Sequence, residues 1–208
     1  MAIDRTEQLR EIRDEVLALT QSPLYEQRIA TNAHPVLGEG SHWARVVLIG
    51  EAPGRHEAAS GRPFIGAAGK VLNELLASID IARDDIYITN IVKDRPPFNR
   101  DPLPEEITIY GPFLDRQLAI LQPSIVVPLG RYAMGYVMNL YGLQDQLMPI
   151  SAMHGRVFDA TASYGPITIV PLYHPAVAVY NPPIKHVLLE DIQVLKKFDC
   201  GPQKPSDA

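Results

Sequence analysis

The sequence is poor in cysteine: one residue, Cys200, stands among 208. A lone thiol near the C-terminal end excludes an internal disulfide framework and any multi-cysteine metal site. Positive charge is not in excess either. Nineteen Lys and Arg face 24 Asp and Glu, a net charge of -5, which argues against a polybasic chain that coats nucleic acid without selection, though a local basic groove remains compatible. Apolar runs are short, and none approaches the roughly 20 residues needed to span a bilayer. Met1-Ala2-Ile3-Asp4-Arg5 is charged and does not read as a secretory signal. No G-x-G-x-x-G follows a strand, which removes a generic dinucleotide-binding protein. The expectation is a cytoplasmic, monomeric protein without a membrane segment.

What is present is enough for one core. Hydrophobic residues make up 46% of the chain, and one domain over 1–200 with a disordered tail over 201–208 is the natural reading. Leu9, Ile12, Val16 and Leu19 recur at three- and four-residue spacing and predict an amphipathic first helix. Residues 31–43 read as a loop. Val46–Ile49 is a buried strand, and a helix near 68–79 follows it. Ile86–Val92 is a second strand, leading into the Pro-rich stretch Asp94–Pro104. Pro104-Glu105-Glu106 looks like a helix start. Ile125–Val127 is a third strand, with Gly130 opening the next helix. A hairpin is expected around Val157 and Ser163–Gly165, a fourth strand over 167–170, and a last helix over Ile184–Phe198. Strands alternating with helices predict an α/β fold: one domain of three layers, α/β/α, around a central four-stranded parallel sheet.

Two strand ends carry the chemistry. Gly50-Glu51-Ala52-Pro53-Gly54 leaves the first strand, and His174-Pro175 follows the fourth. Sites in open α/β sheets lie beyond the carboxyl ends of the strands, so these loops should meet there with Phe64 close by. Such a pocket suits a planar, polar ligand.

Four blocks in order, Gly50–Gly54 (GEAPG), Gly61–Gly69 (GRPFIGAAG), Tyr87–Arg100 (YITNIVKDRPPFNR) and His174-Pro175-Ala176, resemble the uracil-DNA glycosylase superfamily, most closely its family 4. The resemblance runs from about residue 19 to 180. It implies uracil-containing DNA, single- or double-stranded, as partner, and hydrolysis of the N-glycosidic bond of a flipped base. That family usually carries an iron–sulfur cluster on four cysteines. Here the corresponding places hold Leu19, Ser22, Asp94 and Tyr110, so a four-thiolate cluster cannot form and no metal or cofactor is expected. Packing of Leu19 with Tyr110 and an Asp94–Ser22 hydrogen bond are expected in its stead.

The resemblance also implies roles. Phe64 matches the aromatic that stacks on the flipped base. Asn90 ends a strand where its amide could pair with O4 and N3–H of uracil, accepting and donating at once. His174 matches the histidine that contacts O2 and stabilises charge on the departing base. Ala52 stands where the best-known members carry a water-activating aspartate. Glu51 is the first candidate to orient water or stabilise an oxocarbenium-like sugar, and Glu57 the second. Gly50, Ala52, Pro53 and Gly54 complete the substrate loop. Lys70, Lys93, Arg95, Asn99 and Arg100 are candidate DNA contacts, with Lys185 a further cation. Val177, Ala178, Val179 and Tyr180 fall where the family inserts apolar wedge residues, with Ala178 a small wedge. His154 could lie near the DNA. Arg95-Pro96-Pro97-Phe98-Asn99 holds no histidine, which argues against a covalent branch, and no lysine nucleophile for backbone cutting is evident. Two rivals stand: a glycosylase for hypoxanthine or xanthine, and a catalytically silent DNA-binding homologue.

Overall fold

A computed structural model describes residues 4–203. The elements in chain order are α1 (Arg5–Leu17), α2 (Tyr25–Ala30), β1 (Glu39–Gly40), β2 (Val46–Gly50), α3 (Arg55–Ser60), α4 (Ala67–Ala77), β3 (Tyr87–Asn90), α5 (Pro104–Leu121), β4 (Ile125–Pro128), α6 (Gly130–Leu140), α7 (Ile150–Met153), β5 (Phe158–Ala162), β6 (Gly165–Ile169), α8 (Ala176–Tyr180) and α9 (Lys185–Asp191).

The sheet order is β1-β3-β2-β4-β6-β5. β3, β2, β4 and β6 pair in parallel, which is the expected four-stranded centre. Two strands extend it. β1 pairs antiparallel with β3 inside the segment expected to be loop, and two residues are too few to leave a period-2 pattern. β5 forms the expected hairpin with β6 and closes the other edge antiparallel. The sheet is therefore mixed and six-stranded.

Strand alternation builds the two faces. Val47 and Ile49 of β2 join Val126, Leu114, Leu118, Val137 and the α1 residues Leu9 and Ile12 in one cluster. Val46 and Leu48 turn the other way, towards Leu72, Leu75, Leu76, Leu188 and Leu195. Every residue of β2, β3 and β4 is buried, as expected for strands covered by helices on both faces. Among the described residues, no helix is long and apolar enough to cross a membrane.

At the tail, Gly201–Gln203 depart from the disorder expected from residue 201. The Gln203 amide nitrogen donates to the Gln122 carbonyl at 2.8 Å, and its backbone N–H to that of Trp43 at 2.7 Å. Unpaired carbonyls at the end of α5 and before β2 give this glutamine a place to bind. The rest of the expected tail lies outside the described residues.

A third, smaller cluster joins Val16, Leu24, Val92 and Tyr110, with Leu19 packed against it. This is the corner where the family resemblance would place a metal cluster. Leu19 packs against the cluster that includes Tyr110, but Ser22 and Asp94 do not bond directly. Tyr110 stands between them: Ser22 Oγ lies 2.7 Å from the Tyr110 hydroxyl, which donates to Asp94 Oδ2 at 2.5 Å. Arg28 Nη1 pairs with the same Asp94 oxygen at 3.1 Å and also donates to the carbonyl of Val16. All four polar residues are at most 5% exposed. The donors here are a phenol, a hydroxyl, a guanidinium and one carboxylate, already committed to each other, so the residues present do not fit a thiolate-held cluster.

Candidate active site

The chain order β2, β3, β4 places β3 on one side of β2 and β4 on the other, so the connections leaving their carboxyl ends diverge and open a crevice. A cavity of about 770 Å³ fills it. Its wall is made by the loop after β2, the loop before α4, the end of β3 with the Pro-rich segment that follows, and the turn after β6.

Gly50 is the point where the site converges. It faces Asn90 in the parallel register, and a Cβ built on it would lie 2.3 Å from Asn90 Oδ1 and 2.7 Å from Phe64 Cζ. Only a hydrogen at this position lets amide and ring approach together. The Phe64 and His174 rings follow, with centroids 5.5 Å apart. Phe64, Asn90 and His174 thus border one cavity.

Asn90 is 2% exposed, and its Oδ1 is buried with no hydrogen-bond partner among the described residues. A buried acceptor without a donor costs about 1–3 kcal/mol. It marks a place where a ligand N–H would be received. Behind it lies Lys93, whose Nζ donates to the Asn90 carbonyl at 2.7 Å, to Thr89 Oγ1 at 2.9 Å and to Gln117 Oε1 at 2.6 Å. Burial pushes Lys93 down to about 7, opposed by Asp115. Three acceptors nevertheless match the three N–H groups of an ammonium. The expectation that Lys93 touches DNA is corrected here: the side chain is fully buried, and it supports the strand end from inside.

Phe64 sits at a positive φ of 49°, a strained conformation for a bulky residue. The surrounding chain holds it there. Glu57 Oε1 accepts the N–H groups of Ile65 at 3.0 Å and Gly66 at 2.8 Å. Arg83 Nη2 donates to the carbonyl of Pro63. Gly69 lets α4 pass so close that any Cβ would meet the Phe64 carbonyl at 1.8 Å. Glu57 therefore lines the cavity with one carboxylate oxygen already committed to this loop.

His174 has part of its surface open to the cavity, and burial pushes it down to about 4, with Glu57 opposing. It is a neutral imidazole at physiological pH. The Ala176 N–H donates to Nδ1 at 3.2 Å, which makes Nδ1 the acceptor and leaves the proton on Nε2. Glu51 is raised to about 7, by burial first and by Asp101 second, while Arg131 pulls it down. A carboxyl poised near neutrality in a cleft has the character of a group that handles water or protons.

Of the other expected residues, Ala52, Pro53, Gly54, Arg95, Asn99, Arg100, Val179 and Tyr180 line the cavity, whereas Lys70 does not. Lys70 is exposed on α4. Arg100 is engaged by buried Glu106 through two bonds of 2.9 and 2.6 Å, so it braces the loop rather than standing free for phosphate. Lys185 pairs with Glu74. His154 is bound to Asp191 at 2.7 Å and stacks on Tyr173, outside the cavity lining. Sequence reasoning missed Arg55, His56, Phe98 and Asp101, all on the wall. Their adjacency to the GEAPG and Pro-rich blocks was the available signal.

The family profile described as "Uracil DNA glycosylase superfamily" matches residues 37–194. The chain is similar to a Type-4 uracil-DNA glycosylase of Archaeoglobus fulgidus, 38% identical over 96% of this chain and 97% of the relative. One from Sulfurisphaera tokodaii is 40% identical over 94% and 87%, and one from Thermotoga maritima 37% identical over 93% and 96%.

Proposed function

Because the chain belongs to the uracil-DNA glycosylase superfamily, we propose that it takes uracil out of DNA and hydrolyses the bond joining it to the sugar, leaving an abasic site and an uncut backbone. The observation that carries this reading is the orphaned Oδ1 of Asn90, buried beside the Phe64 ring and the His174 imidazole in one cavity.

The mechanism follows from those groups. Phe64, fixed by its loop, offers a face for the base. Asn90 Oδ1 receives N3–H, and its amide nitrogen donates to O4. Cytosine presents a bare ring nitrogen and an amino group at those places, so a fixed amide leaves acceptor against acceptor and donor against donor. As the glycosidic bond lengthens, negative charge collects on the base. A neutral imidazole with its proton on Nε2 stabilises that charge by one hydrogen bond at O2 without spending energy to reorient. Ionised Glu51 holds the attacking water and faces the positive charge growing on the sugar. Glu57 positions the Phe64 loop. The Ser22–Tyr110–Asp94–Arg28 group supplies the structural support of the corner without a thiolate cluster.

The test is incubation with oligonucleotides bearing uracil, hypoxanthine or xanthine, then alkali to cleave at abasic sites. Cleavage only at uracil is the expected result. Cleavage at the purine lesions alone would replace uracil as the substrate. Tight binding without any abasic product would make the chain a silent homologue.

A further inference from the structure

Resting on that reading, we propose that Phe98 is a stacking platform for the unpaired nucleobase next to the flipped one, and that it biases the enzyme towards single-stranded DNA. Phe98 is 98% exposed, an unusual state for a phenylalanine. It is also held, not loose. Phe98 and Asn99 both have φ of 56°, two consecutive strained residues. The loop around them is tied at each side: Arg95 Nε donates to Asn99 Oδ1 at 2.7 Å, the Asn99 N–H to the Pro96 carbonyl at 3.2 Å, and Arg100 to Glu106. Two prolines stiffen the approach. An apolar ring projected into water by a braced, strained loop has no fold purpose visible in its contacts.

Its place indicates the occupant. Phe98 lines the cavity from the β3 side, while Tyr180, 87% exposed, lines it from the β6 side. Those strands lie on opposite sides of the β2–β4 pair, so the aromatics flank the mouth. A cavity of about 770 Å³ is in the range that holds a whole drug-sized molecule and has room beyond one pyrimidine. Arg55 and Arg95 on the same wall suit the phosphates of a strand passing over it. Every base has a face, so stacking here is indifferent to sequence. In a duplex the neighbouring base is already stacked and paired, and Phe98 gains little by displacing those partners. In a single strand it meets a free face.

The experiment compares wild type with Phe98→Ala, Phe98→Leu and Phe98→Trp. Single-turnover uracil release and anisotropy binding are measured on a single strand, on the same strand with an abasic analogue at either neighbour of the uracil, and on a duplex with uracil opposite guanine. The exposed ring packs on nothing, so each variant should fold as wild type does. Phe98→Ala should lose at least about fivefold in affinity for the single strand and less than about twofold for the duplex, the lower end of base–aromatic stacking. Phe98→Trp should restore binding and Phe98→Leu should not. One of the two abasic neighbours should erase the difference between wild type and Phe98→Ala. Equal binding by wild type and Phe98→Ala, equal losses on both substrates, or full rescue by leucine would overturn the proposal. If wild type releases no uracil from any strand, the glycosylase reading falls, and the binding comparison still decides the role of Phe98.

Discussion

Glu51 should be the group that sets both the pH dependence of activity and a pH-dependent cost in stability. Burial and Asp101 hold its carboxyl at about 7 instead of 4.5. His174, pushed down to about 4, is neutral throughout the range in question and cannot produce a limb near neutrality. Uracil release that needs ionised Glu51 should therefore fall by about tenfold per pH unit below 7, whereas loss of the Lys93 proton, also near 7, acts in the opposite sense on the alkaline side. Asp101→Asn removes a nearby negative charge and frees Arg131 from its 2.5 Å partner. Both changes favour the Glu51 anion, so the limb should move to lower pH. The stability effect has the opposite sense. Between pH 4.5 and 7 the folded state keeps a proton that the unfolded state has lost, so stability declines with rising pH, and the full cost is present above about 7. Complete shielding would make that cost about 3 kcal/mol, and partial access to solvent reduces it to about 1–2 kcal/mol. Glu51→Gln should then raise the melting temperature at pH 8 by roughly 2–8 °C, with no gain at pH 4, while losing at least about tenfold in single-turnover rate. A limb near pH 4.5, a limb unmoved by Asp101→Asn, or a Glu51→Gln protein with the full wild-type profile would refute the reasoning.

Three further outcomes follow from the same geometry. Asn90→Asp replaces the donor facing O4 with an oxygen, and single-turnover release should fall at least about 100-fold; retention of the rate would remove Asn90 from base reading. Gly50→Ala places a methyl 2.3 Å from Asn90 Oδ1, which should cost about 1–3 kcal/mol in urea unfolding and about 100-fold in release through misplacement of amide and ring. Tyr110→Phe deletes the hydroxyl between Ser22 and Asp94 and should cost about 1–3 kcal/mol by the same denaturation assay.

The sheet centre was legible because β2, β3 and β4 are buried on both faces and read as continuous apolar runs, the strongest local signal for parallel strands. The edges were not. β1 has two residues and exists through pairing with Ile88 and Tyr87, a long-range cause with no local trace. The pocket residues Phe64, Asn90 and His174 were found because they sit at strand ends or beside glycines in recognisable blocks. Lys93 was misplaced for an instructive reason. A lysine in a Pro-rich, arginine-bearing segment looks like a phosphate ligand, but its neighbours in sequence follow a strand into the core, and only the position of Gln117 on α5 shows that an ammonium can be satisfied there. Phe98 escaped notice because exposure cannot be read from a residue type that is usually buried.

The segment from Asn90 to Arg100 links the Ser22–Tyr110–Asp94–Arg28 corner to the cavity bordered by Phe64, Asn90 and His174. Asn90, Lys93, Asp94, Arg95 and Phe98 lie within nine residues of one another, and the first four are fixed by different partners: Gly50 and Phe64 crowd Asn90, Gln117 and Thr89 bind Lys93, Arg28 and Tyr110 bind Asp94, and Asn99 binds Arg95, while Phe98 is left in solvent. A metal ligand at the Asp94 position would anchor this segment by one strong bond. Here the anchor is an ion pair with a phenol hydrogen bond, both at least nine-tenths buried, where losing one partner leaves a charge unpaired and costs several kcal/mol. The anchor is thus strong enough to hold the loop start fixed while the loop's far end carries two strained residues. Through Arg28 and Tyr110, Asp94 is tied to α2 and α5 at once, which fixes the start of the segment that follows Asn90.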